Sequence, residues 1–266
     1  YIGVLCGCRQ KVASLHVLRN QVEQIVAGRN AIVGVSIIGN NGKDTLSLFG
    51  HRRFPMQSVF KFHIALAVLA EVDKGRFAMD QTFLIKKEDL LPLEVWSPLR
   101  DDNPDGGIFT LKQLIQYTVS HSDNTACDML IQLIGTPKDV EKYIKHCGIA
   151  DIQITFNEQE MQAKWDNMFE NWTTPIAASE TLKLFYENKN GLLTRESYSF
   201  FWQTNKETST GNNRIKGKLP AGTVVAHKTG WSGTHKVTGI TEAVNNIGIV
   251  FLPDGTYFFL SVFVTQ

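Results

Sequence analysis

Apolar residues near the start of the chain first follow a helical spacing and then a strand-like pattern. Within residues 11–26 they recur every three or four positions, which predicts a helix that Gly28 ends. Two β-rich runs follow at residues 31–38 and 45–49, separated by the turn-forming Asn40-Asn41-Gly42. The chain is therefore predicted to open with a helix followed by two strands.

The middle of the chain carries the start signals of several helices. Thr110 can cap a helix that runs to Val119, and Thr-Pro pairs at residues 136–137 and 174–175, like Thr194, can begin three more. Residues 151–171 show no sustained period and predict a long irregular loop. A loop of that length within a compact domain is usually functional or disordered.

The last part of the chain returns to strand patterns. Strands are predicted over residues 223–227, 247–252 and 257–264, and a turn at Pro253-Asp254-Gly255 joins the last two. Strands at both ends with helices between them predict one α/β lobe built from both termini and an inserted all-α lobe. We place the α/β lobe at about residues 9–53 and 206–266, and the all-α lobe at about residues 54–205, of a single domain. Such lobes commonly hold a site in the cleft between them.

Composition narrows the class of protein. Hydrophobic residues make up 43% of the chain and charged residues 20%, with a net charge of +1, which is ordinary for a soluble globular domain. The charges are interspersed, so neither a nucleic-acid partner nor a polybasic membrane surface is indicated. The longest apolar runs, such as residues 64–70, are too short to span a bilayer.

The first residues differ from the rest. Residues 1–8 are apolar, lack an initiating Met and give way to Arg-Gln-Lys, which is typical of the clipped end of an export signal. Residues 5–8 also resemble a bacterial lipobox, in which Cys8 would carry a lipid; an unlipidated signal fits equally well. Both interpretations predict a periplasmic or secreted protein, with a lipid anchor in the first case.

Two further cysteines, Cys127 and Cys147, fall on predicted helices. They could form a disulfide in an oxidising compartment. Two buried free thiols are the favoured interpretation, because Cys is often simply a small core residue.

Ser58 and Lys61 form the first candidate chemical motif. The pair follows Pro55 and precedes the apolar stretch at residues 64–69, so a helix beginning near Ser58 would place both side chains on one face. The lysine amine would then lie beside the hydroxyl, and the helix N-terminus would favour negative charge there. Alone, this pattern more often marks a surface serine and lysine on an amphipathic helix.

Two triplets follow later in the chain. Ser122-Asp123-Asn124 lies between two predicted helices and is by itself typical of a helix start, since all three residues are good caps. Lys228-Thr229-Gly230 closes the predicted strand at residues 223–227 and is by itself a charged strand end with a turn glycine. What distinguishes this chain is the occurrence of all three motifs in order: at a helix start, between helices and at a strand end.

With these motifs the chain resembles a class A serine β-lactamase, within the wider penicillin-recognising family. The resemblance covers nearly the whole chain. Trp96-Ser97-Pro98 resembles the aromatic-Ser-Pro segment at the cleft mouth, and residues 171–175 resemble the end of the family's Ω-loop. Residues 58–63 (Ser-Val-Phe-Lys-Phe-His) are similar to the extended-spectrum, cephalosporin-hydrolysing branch. The resemblance implies an α+β sandwich with an antiparallel five-stranded sheet.

The resemblance also implies how acyl transfer would occur. Ser58 Oγ would attack the lactam carbonyl, and the backbone N–H groups of Ser58 and Trp231 would stabilise the tetrahedral oxyanion. Lys61 would either activate Ser58 or relay its proton. Ser122 would pass a proton to the departing lactam nitrogen, because hydroxyls shuttle protons.

Substrate contacts are implied in the same way. Asn124 would hold the substrate's side-chain amide, and Lys228 with Thr229 would bind the ring carboxylate, since an ammonium group fixes a carboxylate. No Arg follows Lys228 in its strand, so Arg214, just before that strand, is the candidate guanidinium for the same carboxylate; the alternative is a loop-surface Arg. The other substrate-binding candidates are Trp96, Gln162, Gly230 and Trp231.

Hydrolysis further needs a base for the deacylating water, and Glu158 and Glu160 are the candidates. Glu158 lies 36 residues beyond Ser122, the spacing that the resemblance requires. Its fourth following residue is Gln162, whose amide can help hold the water, whereas the same offset from Glu160 gives Lys164, which can only donate. We therefore assign the base to Glu158 and interpret Glu160 as a solvated loop carboxylate.

Some positions depart from the family pattern. Phe156 and Asn171 stand where most relatives pin the Ω-loop with an Arg–Asp salt bridge, so this loop must be held in another way. Gln162 replaces the usual Asn, and Trp231 stands where a small residue is commoner. The sequence also ends at Gln266 with the last strand, whereas the family continues into a C-terminal helix, so we expect that helix to be missing from this sequence.

Other classes of function fit less well. A D,D-peptidase or penicillin-binding protein shares the three motifs but lacks a positioned loop carboxylate such as Glu158. A non-catalytic β-lactam sensor domain is normally tied to a transmembrane segment, and the seven His residues show no spacing typical of zinc ligands. The sequence therefore predicts a monomeric hydrolase of small-molecule β-lactams that uses no cofactor or metal.

Overall fold

The computed structural model of the protein describes residues 3–266, and the side chains of residues 3–13 and of Asn40 are outside that description. The predicted leader or lipobox at residues 1–8, including Cys6 and Cys8, therefore lies outside the residues whose side chains are described. No helix within residues 3–266 is both long enough and apolar enough to cross a membrane.

Helices dominate the middle of the chain. The described residues form α1 (Gly3–Val26), α2 (Phe60–Asp73), α3 (Pro98–Asp102), α4 (Leu111–Ser120), α5 (Asn124–Ile134), α6 (Pro137–His146), α7 (Glu158–Ala163), α8 (Pro175–Glu187) and α9 (Arg195–Lys206).

Strands lie mainly at the two ends of the chain. They are β1 (Ile32–Gly39), β2 (Asp44–Leu48), β3 (Phe54–Pro55), β4 (Thr82–Lys86), β5 (Gly106–Thr110), β6 (Ile152–Gln153), β7 (Trp172–Thr173), β8 (Val225–Trp231), β9 (Val244–Phe251) and β10 (Tyr257–Thr265). The main sheet has the order β2-β1-β10-β9-β8, and every neighbouring pair in it is antiparallel. The predicted five-stranded antiparallel sheet formed by both ends of the chain is confirmed.

Threonine caps begin the helices where the sequence predicts them. The hydroxyls of Thr110, Thr174 and Thr194 each accept a hydrogen bond from a backbone N–H in the first turn of α4, α8 and α9. Thr136 precedes Pro137 at the start of α6, and its hydroxyl donates to Asp139 at 2.7 Å. The caps of Thr110, Thr174 and Thr194 predict helix starts well because each satisfies a backbone N–H without help from the rest of the fold.

The central helix is α2. Every residue from Phe60 to Ala70 is buried, so the helix is surrounded by protein on all sides. It contacts α4, α5, α6 and α9, and the turn that precedes it lies against β8 and β9. The start of α2 is therefore held at the junction of the helices and the main sheet.

Three parts of the sequence-based prediction need correction. Residues 151–171 are not wholly irregular, since they contain β6, α7 and a turn of 3-10 helix at Trp165–Glu170. The sequence also gave no sign of the β4–β5 hairpin or of the small sheet β3-β7-β6. Lastly, β8 does not end at His227 but continues to Trp231, because each residue from Lys228 onward still pairs with β9.

The two cysteines are free, as favoured from the sequence. Cys127 is buried on α5, and burial raises the pKa of its thiol well above the usual range. Cys147 is only half-buried, which differs from the prediction, because it lies at the C-terminal end of α6 rather than inside the helix.

Candidate active site

Ser58 lies in a short turn rather than in the helix itself. Residues Gln57–Val59 form one turn of 3-10 helix, which we call the nucleophile turn, and α2 begins directly after it. Gln57 has a φ of 47°, an unusual value for a residue with a side chain. Backbone strain of this kind is common at functional sites, where it fixes the direction of a neighbouring side chain.

The strand preceding the nucleophile turn is tied to the main sheet. The side-chain amide of Asn245, on β9, donates to the carbonyls of Pro55 at 2.7 Å and Met56 at 3.1 Å. Asn245 is buried, so these two bonds are sheltered from water. The sequence motifs did not indicate Asn245, because its role depends on a contact between β9 and the segment of Pro55 and Met56, which are far apart in the chain.

Lys61 joins three of the predicted site residues. Its buried ammonium group donates to Ser58 Oγ at 2.9 Å and also to Asn124 Oδ1 and Glu158 Oε1. The predicted adjacency of Ser58 and Lys61 is therefore observed, although Ser58 precedes the helix. Since Lys61 and Glu158 are both buried, each compensates the charge of the other.

Glu158 and Glu160 occupy different environments. Glu158 is 1% exposed and faces Lys61, whereas Glu160 is exposed. The carboxylate of Glu160 accepts the backbone N–H of Asn157 at 3.0 Å, and the Asn157 side chain accepts the N–H of Glu160 at 2.8 Å. Glu160 thus caps the first turn of α7.

Ser122 and Lys228 form a second hydroxyl–ammonium pair. Lys228 is buried and donates to Ser122 Oγ at 2.8 Å. Burial, and after it the positive charge of Lys61, lowers the pKa of Lys228 well below its usual range. Ser122 has a φ of 59°, so a second non-glycine residue of the site has a left-handed backbone.

Asp123 has the helix-start role that its residue type suggests. Its Oδ1 accepts the N–H of Ala126 at 2.7 Å in the first turn of α5, and its Oδ2 accepts from Leu99 N at 2.7 Å and Ser97 Oγ at 2.9 Å. The middle residue of the triplet is therefore a cap and a bridge to α3. The flanking residues Ser122 and Asn124 are left free to face Lys228 and Lys61.

Trp96 lies beside this triplet and is 58% exposed. Its indole N–H donates to the His121 carbonyl at 2.9 Å, and its own carbonyl accepts the N–H of Asn124 at 3.3 Å. Arg100 is buried and holds the segment before Trp96 by donating to the carbonyls of Leu91 and Val95. The ring is thus fixed at the surface next to Asn124.

The end of β8 lies directly against the nucleophile turn. A Cβ atom on Gly230 would come within 2.4 Å of the Met56 carbonyl oxygen, so this position requires glycine. The close approach brings the next residue, Trp231, beside the nucleophile turn. Trp231 is 60% exposed. Arg214 donates to the carbonyls of Gly230 at 2.8 Å and Asn245 at 2.6 Å, so it braces this edge rather than lying free on the surface.

Thr229 faces another hydroxyl. Its Oγ1 lies 2.6 Å from Thr210 Oγ1, and Thr229 itself is buried. Thr210 comes from the segment between α9 and β8, and the sequence motifs did not indicate it.

The loop that carries Glu158 is held by Asn171. Asn171 is buried; its Oδ1 accepts the N–H groups of Thr155 at 2.8 Å and Phe156 at 3.0 Å, and its Nδ2 donates to the Phe156 carbonyl at 2.8 Å. These bonds close the neck of the loop without the salt bridge that most relatives are expected to have. The sequence placed Asn171 at the end of the Ω-loop and as a departure from the family pattern, but did not indicate that it holds the loop neck.

Asp128 supplies a second anchor, which the sequence analysis missed. Its two carboxylate oxygens accept the N–H groups of Glu158 at 2.7 Å and Gln159 at 2.9 Å. Burial, and then the nearby charge of Glu158, raises the pKa of Asp128 to about 7. Asp128 lies four residues after Asn124 on α5, and this spacing could have indicated that it faces the same site.

Gln162 is exposed and has no hydrogen bond to the Lys61 cluster among the described residues. Its predicted part in holding a water molecule stays a prediction. Among those residues, no three or more His, Cys, Asp and Glu side chains group closely enough to hold a metal ion.

The arrangement suits transfer of an acyl group to a serine. One hydroxyl, Ser58, contacts an ammonium group that is itself paired with the Glu158 carboxylate. A second hydroxyl, Ser122, contacts another buried ammonium group. Such a pair of hydroxyl–ammonium units can move one proton away from a nucleophile and deliver another to a leaving group.

Comparison with known proteins gives a consistent result. The model of the beta-lactamase enzyme family matches residues 17–266. Beta-lactamase VEB-1 of Pseudomonas aeruginosa is 46% identical over 246 residues, which are 92% of this chain and 81% of that protein. Extended-spectrum beta-lactamase PER-1 of the same organism is 42% identical, over 93% of this chain and 79% of that protein.

A solved structure agrees with the fold. The crystal structure of TLA-3 extended-spectrum beta-lactamase superposes with a TM-score of 0.91 at 42% identity, over 94% of this chain and 90% of that chain. Because the family model matches residues 17–266 and these relatives cover almost the whole chain, this protein belongs to the class A β-lactamases and is a serine hydrolase of β-lactams.

Proposed function

We propose that Ser58 is the nucleophile that this β-lactamase acylates and that Glu158 is the base that releases the product. In acylation, Ser58 Oγ attacks the lactam carbonyl carbon while Lys61 acts as a proton relay: its ammonium group gives one proton towards Ser122, and the amine so formed takes the proton of Ser58. The lactam C–N bond breaks, and Ser122 gives its own proton to the departing nitrogen and is reprotonated by the proton from Lys61. The N–H groups of Ser58 and Trp231 stabilise the oxyanion.

The second half of the reaction returns the enzyme to its starting state. Glu158 takes a proton from water, whose oxygen attacks the ester carbonyl, and Ser58 leaves with a proton returned through Lys61. The observation that carries this assignment is the buried contact of one lysine with both Ser58 and Glu158. A carboxylate that reaches the nucleophile only through this lysine is suited to a step that follows acylation.

Substrate binding is proposed to use the remaining residues around the cleft. Asn124 holds the amide of the substrate's acyl side chain, and Lys228 with Thr229 binds the ring carboxylate. That carboxylate would place a negative charge next to the buried Lys228, whose described hydrogen bonds are to the Ser122 hydroxyl and the Thr229 carbonyl. Arg214 acts on the same carboxylate from behind Gly230, whose carbonyl it holds.

Glu158→Gln tests the assignment of the base, with Glu160→Gln as its matched control. We expect Glu158→Gln to slow deacylation by about 10²- to 10⁴-fold, so that intact-mass spectrometry detects an accumulated acyl-enzyme. Glu160→Gln should keep near-normal turnover, because that side chain caps α7 at the surface. Equal slowing of acylation and deacylation in Glu158→Gln, by single-turnover kinetics, would assign the base elsewhere.

The wild-type protein distinguishes hydrolysis from simple acylation. Steady-state turnover of a chromogenic cephalosporin is expected. Stoichiometric acylation without turnover is the result expected of a D,D-peptidase or a β-lactam sensor, and it would contradict the proposed role of Glu158.

We further propose that the enzyme accepts extended-spectrum cephalosporins. PER-1 and TLA-3, at 42% identity, are both named extended-spectrum enzymes. The test is kcat/KM for a penicillin and for cephalosporins with small and large acyl side chains. Rates on the large-side-chain cephalosporins more than about 10³-fold below the others would contradict this specificity.

We propose that the protein is a monomer that is exported to the periplasm or secreted. It would carry a lipid on Cys8 if residues 5–8 act as a lipobox. The apolar run at residues 1–8 supports export. Light scattering tests the monomer, and fractionation of cells with mass spectrometry of the mature N-terminus tests export and lipidation.

A further inference from the structure

The side chain of Asn245 lies at the point where β8, β9 and the nucleophile turn meet. Asn245 is 1% exposed, and its amide nitrogen donates to the carbonyls of Pro55 at 2.7 Å and Met56 at 3.1 Å. Its amide oxygen accepts the N–H of Val264, on β10, at 3.4 Å. Both N–H donors of the amide are therefore used on the two carbonyls that precede the nucleophile turn.

The Met56 carbonyl is shared by the main sheet and the nucleophile turn. The oxygen that accepts from Asn245 also accepts the N–H of Val59 at 3.2 Å, which is the bond that closes the turn. A Cβ atom on Gly230 would come within 2.4 Å of the same oxygen, so β8 packs directly against it. The position of this carbonyl is therefore set from three sides, by the turn, by β8 and by β9.

Gln57 is the residue that needs this support. It stands between Met56 and Ser58 and has a φ of 47°. A residue with a side chain keeps a left-handed backbone only where the surrounding structure holds it there. Because Asn245 binds both carbonyls immediately before Gln57, it stabilises the backbone conformation that sets the direction of the Ser58 N–H.

Asn245 is also attached to the strand that carries the second N–H of the proposed oxyanion hole. It lies opposite Gly230 in the pairing of β8 with β9. Arg214 donates to the carbonyls of both residues, at 2.8 Å for Gly230 and 2.6 Å for Asn245. The Gly230 carbonyl and the Trp231 N–H belong to one planar peptide group, so the contact with Arg214 also fixes the direction of that N–H.

We propose that Asn245 is a positioning residue that sets the spacing between the N–H groups of Ser58 and Trp231, and with it the strength of the oxyanion hole. The proposal rests on the function proposed above for these two N–H groups. The backbone of Asn245 is paired with Gly230, and its side chain holds the carbonyls before the nucleophile turn. Donors that are placed in advance stabilise an oxyanion without reorganisation during the reaction.

Asn245→Ala removes the amide, and both steps of the reaction should respond. Acylation and deacylation each pass through a tetrahedral oxyanion, so both rate constants for a chromogenic cephalosporin should fall by about ten- to a hundredfold. The dissociation constant of the noncovalent complex should stay within about threefold, because that complex contains no oxyanion. Quenched-flow kinetics with intact-mass detection gives all three constants. Affinity for a boronic acid, which forms a tetrahedral adduct with the serine, should weaken by a factor similar to that of the rate constants.

Asn245→Asp keeps the size of the side chain, but a carboxyl group cannot donate to both carbonyls, so the same pattern of loss is expected. The first variant leaves a cavity and the second a buried carboxyl group, and either one that folds is sufficient for the test.

Asn246, the next residue, offers a matched control. It is 3% exposed on β9, and its Oδ1 lies 3.1 Å from Nδ1 of the His227 ring. Asn246→Ala therefore removes a buried amide from the same strand and leaves the bonds to Pro55 and Met56 in place. We expect a lower Tm, with acylation and deacylation rate constants close to those of the wild type.

Three outcomes would overturn the proposal. Equal loss of rate in Asn245→Ala and Asn246→Ala would assign Asn245 a purely structural role. Unchanged rate constants in a folded Asn245 variant would show that the nucleophile turn holds itself. A loss confined to deacylation would place the effect at Glu158 and not at the oxyanion hole. Failure of the proposed function itself would be seen in the wild type, either as an acyl group on a residue other than Ser58, by peptide mass spectrometry, or as acylation without turnover.

Discussion

The two sides of the cleft are held in place by different forces. On one side, the nucleophile turn and α2 are enclosed by apolar packing, with Phe60–Ala70 buried without interruption and Gly230 pressed against Met56. On the other side, the loop of residues 155–171 buries few side chains, among them Glu158 and Met161. Its position depends on hydrogen bonds between its backbone and the buried side chains of Asn171 and Asp128.

Because of this difference, acylation and deacylation should respond differently to substitutions in the protein. The proposed nucleophile, Ser58, lies on the packed side, where we expect local opening to require nearly the whole free energy of unfolding. The proposed deacylating base, Glu158, lies on the side held by a few polar contacts. Substitutions in the loop should therefore slow deacylation before they affect acylation or global stability, whereas substitutions under α2 should affect everything together.

Lys61→Met would break the link between the two sides and should have the largest effect. Turnover of a chromogenic cephalosporin should fall at least about 10³-fold, because Ser58 loses its proton acceptor. The free energy of unfolding, from urea titration, should fall by about 3–5 kcal/mol, because Glu158 is left as a buried, unpaired charge. The double variant Lys61→Met/Glu158→Gln should recover most of the stability and none of the activity. A single variant with an unchanged urea midpoint would show that Glu158 does not depend on Lys61.

Asn171→Leu tests whether the loop side moves independently. Loss of three hydrogen bonds to the loop neck, each worth about 1 kcal/mol, should slow deacylation by about ten- to a hundredfold. Acylation should stay within about threefold, since Ser58 is held by other elements. Quenched-flow kinetics with intact-mass detection separates the two steps.

Asn171→Asp is the matched variant at this position. The carboxylate can still accept from Thr155 and Phe156 but no longer donates to the Phe156 carbonyl, so an intermediate effect is expected. If both variants slow acylation as much as deacylation, the two sides of the cleft are not independent.

Asp128 anchors the loop side in a pH-dependent way, and its effect should be smaller than that of Lys61 or Asn171. Its pKa is raised from 3.8 to about 7, mainly by burial, so the folded state binds a proton between about pH 4 and pH 7 that the unfolded state has lost. This contribution to the free energy of unfolding is present at low pH and is lost as pH rises through about 7, with a slope of at most about 1.4 kcal/mol per pH unit.

Urea titrations of wild type and Asp128→Asn at several pH values check this slope. The stability of the wild type relative to Asp128→Asn should decline between pH 5 and pH 7.5, by no more than about 1.4 kcal/mol for each pH unit. Asp139→Asn, which changes an exposed carboxylate on α6, should reproduce no such decline. A difference that stays constant over this pH range would mean that Asp128 is ionised throughout and held by its two hydrogen bonds from backbone N–H groups.

The packed side is also the side that the sequence predicts well. Helix caps such as Thr110 and strand patterns such as that of β10 act locally, and the motif residues around Ser58 have fixed spacings. The errors arose where long-range pairing decides the structure. The triplet Lys228-Thr229-Gly230 was predicted to close a strand that ends at His227, but pairing with β9 keeps Lys228–Trp231 inside β8.

The loop side was predicted in outline only. Glu158, predicted from the sequence to be the base in preference to Glu160, lies beside Lys61, but α7 itself was not predicted, because a six-residue helix is too short to show a period. The anchors were harder still. Neither Asp128 nor Asn245 belongs to a motif. The positive φ values of Gln57 and Ser122 were also not predictable, because neither residue type favours a left-handed backbone.

Gln162→Ala should have the smallest effect and sharpens the comparison on the loop side. The Gln162 side chain is exposed, and Glu158 is positioned by Lys61 and by Asp128 without it. We therefore expect deacylation to slow by no more than about threefold, with acylation unchanged, because at most one hydrogen bond is lost. Gln159→Ala, at an exposed position of the same helix, is the control for a general effect on α7. Slowing by more than about tenfold in Gln162→Ala alone would mean that this amide contributes directly to the hydrolytic step. The loop would then supply a second residue to deacylation besides Glu158.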